Sequence, residues 1–170
     1  NVARQIRNLT RQRSNLIRMA EKEVQYMQKA MEQMNIKLST VISDITGLSG
    51  RKIITAILDG QRDTYALASL AESNCKASQE EIALSLEGTW DEDLLFMLKQ
   101  SLDAYDFFLS QVSDCDTEIE KLLSLYGARI DSANAELVRC KRKKSRSKNA
   151  PKMDIENFAY QLWGVNVFEI

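Results

Sequence analysis

The stretch LFMLKQSLDAYDFFLSQVSDCDTEIEKLLSLYGARIDSANAELVRC, residues 95–140, decides the fold. Steps of alternately three and four residues through it select Leu95, Leu98, Leu102, Tyr105, Leu109, Val112, Asp116, Ile119, Leu123, Tyr126, Ile130, Ala133, Leu137 and Cys140. Every one except Asp116 is apolar or small, which makes this a single unbroken seam. A spacing of about 3.5 residues keeps such a seam on one face only when two helices wind around each other left-handedly. At about 1.5 Å per residue the helix is on the order of 70 Å long, more than a compact domain of this size needs. The expectation is a rod.

Composition agrees. The 170 residues are 44% hydrophobic and 28% charged, with one Pro and six Gly, which fits an all-α protein and argues against a sheet. No apolar run reaches the ~18 residues that a membrane span requires. With no histidine, the commonest general base and the commonest metal ligand are both missing. Cys75, Cys115 and Cys140 show no CxxC spacing, so neither a zinc site nor a disulfide framework follows and a reducing cytoplasm is the expected setting. The opening residues already read as mid-helix, and the expectation is a piece of a longer protein.

A second seam precedes the first. Ile17, Ala20, Val24, Met27, Met31, Met34 and Leu38 form its later part; Val2, Ile6, Leu9 and Leu16 form a shifted earlier part, so the register slips near Arg13. The methionines read as adaptable core filler. Four regions result: a first coiled-coil helix over 1–38, a short-helix insert over 39–88, a second long coiled-coil helix with a basic end over 89–148, and 149–170 as a linker leading into a following domain. Within the insert, helices are expected at 50–58, 64–71 and 79–86, the last opened by a Ser78/Glu81 capping box. Thr89 and Glu92 repeat that pattern before the long helix. The two long helices should pair antiparallel, with the short ones as a knob at one tip.

Charge is partitioned. Residues 1–38 carry eight Lys and Arg against three acids, 39–138 seven against eighteen, and 139–170 eight against three, so a polyanion would be met at the ends of the chain. Arg4, Arg7, Arg11 and Arg18 share one face of the first helix and are spaced to meet phosphates. Arg139, Lys141, Arg142, Lys143, Lys144, Arg146 and Lys148 place seven cations within ten residues, a second nucleic-acid candidate beside the alternative of a solvated tail. Asp116, the one acid on the seam, reads as a polar register-setter; Asp91-Glu92-Asp93 reads as helix-opening charge. No residue here has the company a catalytic or metal-binding role would need.

The segments Asn35-Ile36-Lys37-Leu38 and Val41-Ile42-Ser43-Asp44-Ile45-Thr46-Gly47-Leu48-Ser49-Gly50-Arg51 resemble a bacterial family. So do Ala56-Ile57-Leu58-Asp59-Gly60-Gln61-Arg62-Asp63, Leu67-Ala68-Ser69-Leu70-Ala71, Ala83-Leu84-Ser85-Leu86-Glu87-Gly88 and Leu162-Trp163-Gly164-Val165-Asn166-Val167. The family is the insertion-sequence transposases with a RuvC-like four-carboxylate domain and a serine transposase domain, relatives of the Piv-type invertases and bridge-RNA-guided recombinases. This chain resembles their central coiled-coil region. The resemblance implies a parent that recombines DNA in the bacterial cytoplasm, with Mg at acids before Asn1 and a serine beyond Ile170. It implies DNA and guide RNA as partners of the basic ends and a homo-oligomer through the coiled coil. It puts no catalytic residue and no cofactor on this chain. A stand-alone nucleic-acid-binding module or coiled-coil scaffold is the alternative.

Overall fold

A computed structural model of the chain describes residues 2–127 and 148–151. The protein is all-α: among the described residues there is no strand. Six helices follow in order: α1 (Val2–Gln33), α2 (Leu38–Val41), α3 (Leu48–Leu58), α4 (Thr64–Ala68), α5 (Gln79–Ser85) and α6 (Glu92–Gly127). The chain divides into two compact units, one of Asn1–Arg18 with Phe108–Ile170 and the other of Met19–Phe107. Both long helices contribute to both units.

In the Met19–Phe107 unit the later part of α1 and the earlier part of α6 run antiparallel. Thr89, just ahead of α6, donates its backbone N–H to the Met34 carbonyl just past α1, at 2.8 Å. Around them the short helices gather, α4 against α5, α2 against α5 and α3 against α4. Met27, Met31, Met34, Ile36, Leu38, Ile53, Ile54, Ile57, Leu67, Ile82, Leu86 and Leu98 are sealed from solvent. The seam methionines Met27, Met31 and Met34 are core, as their spacing predicts, whereas Met19 and Met97 are exposed.

α1 does not reach Leu38. Asn35 takes a left-handed φ of 60°, which ends the helix. Ile36 N–H then bonds the Met31 carbonyl at 2.8 Å and Asn35 N–H the Glu32 carbonyl at 2.9 Å, the paired closure of a Schellman motif. Burial of Ile36 and Met31 supplies its hydrophobic contact. Reading Asn35 as mid-helix missed that Asn is among the few residues besides Gly that readily adopt this turn.

α3 and α5 match their expected spans closely, and the Ser78/Glu81 capping box is formed in both directions. The device at Thr89 is different. Leu95 N–H bonds the Asp91 carbonyl at 2.9 Å, so α6 opens after Asp91, and the Thr89 hydroxyl donates to the Asp91 carboxylate at 2.6 Å. α4 stops at Ala68, three residues short of the expected end, because the following amides tighten into bonds to carbonyls three residues back.

In the other unit, Ile6 and Leu9 of α1 pack on Ile119 and Leu123 of α6, and Arg13 faces Asp116, so this pair is antiparallel too. Along the whole of α6 the seam residues Leu98, Leu102, Tyr105, Val112, Ile119 and Leu123 are buried, and Leu95 and Leu109 are half-buried. Its continuation through Ile130, Ala133, Leu137 and Cys140 lies outside the described residues, as do residues 152–170. No described helix is long and apolar enough to cross a membrane.

Candidate nucleic-acid interface

The first turns of α1, from Val2 to Ala20, have two opposed faces, both bearing arginine. On the inner face the half-buried Ile6 and Leu9 and the buried Arg13, Leu16 and Ala20 form an unbroken alternation of three and four once Arg13 is admitted. There is no register slip. Arg13 is itself a seam residue, only 8% exposed.

A buried guanidinium needs an anion, and Asp116 supplies it from the facing seam. Arg13 Nε donates to Asp116 Oδ1 at 2.6 Å and its Nη2 to Oδ2 at 3.3 Å, a two-pronged bridge. The same Nη2 donates to the Asn149 carbonyl at 2.8 Å. One arginine thus ties together α1, α6 and the chain just beyond the basic run. Asp116 fits the polar seam role, and the partner that sequence reading missed is Arg13. The signal was present: an acid on one seam asks for a cation on the other. Beside this pair, burial and then the charges of Asp116 and Asp114 push the Cys115 thiol up, against a smaller opposing pull from Arg13, which disfavours the reactive thiolate.

The outer face carries Arg4, Arg7, Arg11 and Arg18, all exposed. At about 100° per residue they fall within roughly 60° of one another, opposite the seam. Arg18 donates to the Asn15 side-chain oxygen, and no ion pair among the described residues involves Arg4, Arg7 or Arg11. The first acid in the chain is Glu21, so nothing on this part of α1 neutralises them. Of the second basic group only Lys148 is described, and it is exposed; Arg139, Lys141, Arg142, Lys143, Lys144 and Arg146 lie outside the described residues.

The segments of the family resemblance between residues 35 and 88 occupy structural posts in the Met19–Phe107 unit, while residues 162–167 lie outside the described residues. Asp44 Oδ1 accepts from the Thr46 amide at 3.0 Å and hydroxyl at 2.8 Å, shaping the turn into α3. Arg51 is bonded to Asp106 on α6, and Tyr105 of the seam donates its hydroxyl to Thr46 Oγ1 at 3.3 Å. Arg62 donates to the Ile57 carbonyl at 2.6 Å and stacks on Trp90 with 4.9 Å to the ring centre. Asp63 caps α4 through the Tyr65 and Ala66 amides. A Cβ on Gly88 would collide with the Met34 carbonyl oxygen, and one on Gly50 with the backbone of Ile45, so both crossings require glycine.

Among the described residues no three His, Cys, Asp or Glu side chains come together as a metal site. The Mg that the resemblance implies would sit on acids before Asn1, and the described residues offer it no donor set. No family model, curated protein or solved structure matches the chain.

Proposed function

We propose that this chain is the helical spacer and oligomerisation domain of a DNA transposase. In that role it sets the separation of a RuvC-like domain and a serine transposase domain, and contacts guide RNA or DNA through its basic ends. What carries the reading is the conjunction of a long seam on α6 with the family-like segments at residues 35–51 and 56–63. Those segments supply the caps and tight crossings that hold the short helices around α1 and α6, as a spacer shared by a family would require. The outward arginines of α1 support the nucleic-acid part, since unneutralised exposed cations favour a polyanion.

Light scattering tests the self-association. A dimer or higher oligomer at high concentration is expected, and a strict monomer removes oligomerisation from the role. Reading the gene on both sides tests the family: four spaced acids upstream and a serine transposase domain downstream are expected, and unrelated flanks refute it.

A further inference from the structure

The outer face of α1 has a repeat finer than a basic patch. Arg4, Arg11 and Arg18 are seven residues apart, and so are Asn8 and Asn15, which fall between them on the same face. All three arginines are exposed, and Asn15 holds the Arg18 guanidinium through its side-chain oxygen. Seven residues of helix advance about 10.5 Å, so the three guanidiniums form a row of regular steps on a stiff support.

We infer that this row is a clamp for the phosphate backbone of double-stranded DNA, which deepens the proposed nucleic-acid contact and rests on it. Three observations select the partner. First, the step of about 10.5 Å is close to the ~12 Å width of the B-form major groove, so one neighbouring pair of arginines spans the two walls of that groove and the third meets the backbone beyond it. The major groove of an RNA duplex is narrow and deep and does not offer that separation. Second, single strands are held by aromatic side chains on which bases stack, and no aromatic residue precedes Tyr26. Third, the side chains between the arginines on this face are the short amides Asn8 and Asn15, which add hydrogen bonds to phosphate oxygens, and a further exposed cation, Arg7, so no negative charge there repels them. A row that touches only phosphates reads no sequence; it orients the duplex.

The clamp is tested with the full chain by fluorescence anisotropy on labelled duplex DNA, duplex RNA and single-stranded DNA of one sequence. The wild type is compared with R4Q/R11Q/R18Q and with K141Q/R142Q/K143Q/K144Q, and circular dichroism checks that each variant keeps its helix. Duplex DNA is expected to bind tightest. In R4Q/R11Q/R18Q the log–log salt slope should shrink by about 2.7, at about 0.9 per phosphate, so a fourfold rise in salt costs this variant about 40-fold less affinity than the wild type. The K141Q/R142Q/K143Q/K144Q variant should keep the contribution of α1. Equal or tighter binding of duplex RNA or single strands overturns the clamp. An unchanged slope in R4Q/R11Q/R18Q with loss of binding in the other variant also overturns it, while sparing nucleic-acid contact at the second basic segment. Absence of binding to every nucleic acid at low salt removes that contact from the proposed function and the clamp with it.

Discussion

The two units bury the same two helices in different ways. In Met19–Phe107 four short helices add their packing to that of the long ones, and every described large side chain sealed below 2% exposure lies there. In the other unit the described seam contacts are pairwise, with Val112, Ile119 and Leu123 still 6–8% exposed and an ion pair among them. Two helices alone cannot exclude water from both edges of their seam. A core enclosed on all sides is held by apolar volume, whereas an open seam depends more on a directional contact to choose its register.

The sharpest way to break this contrast is a matched pair of truncations. Leu98→Ala, fully enclosed, should cost about 4 kcal/mol; Leu123→Ala, on the open seam, should cost about 2 kcal/mol because water and neighbouring chain can refill the space. Urea denaturation of both variants measures the difference, and equal costs would erase the distinction between the units. A smaller effect sharpens the enclosed side. Asn35→Ala should lose about 1–2 kcal/mol through its left-handed φ, while Asn35→Gly should be close to neutral. If both substitutions behaved alike, the cap on α1 would not be what ends the helix.

The seam of α6 was legible because period 3.5 survives any detail of tertiary packing; Leu98 through Leu123 fell where it puts them. The cap at Ser78 was legible for a similar reason, since it depends on four consecutive residues. What was not legible depends on residues far apart. Arg13 looked like a break in the pattern because its burial depends on Asp116, more than a hundred residues on. Asn35 looked helical because its neighbours are apolar at helical spacing, and the turn shows itself only in the closing backbone bonds of Asn35 and Ile36 and the burial of Ile36. On the candidate interface the exposed row of Arg4, Arg7, Arg11 and Arg18 followed from helical geometry alone. That Arg13, two positions from Arg11, belongs to the opposite face and a different task did not stand out until the facing helix was known.

The claim that one largely buried pair fixes α1 against α6 is tested most directly by a double-mutant cycle at Arg13 and Asp116, read by urea denaturation. Arg13→Met and Asp116→Leu should each cost about 3–5 kcal/mol, because each strands a buried charge, and the double variant should recover most of that loss. Costs that simply add, with no recovery in the double variant, would contradict it.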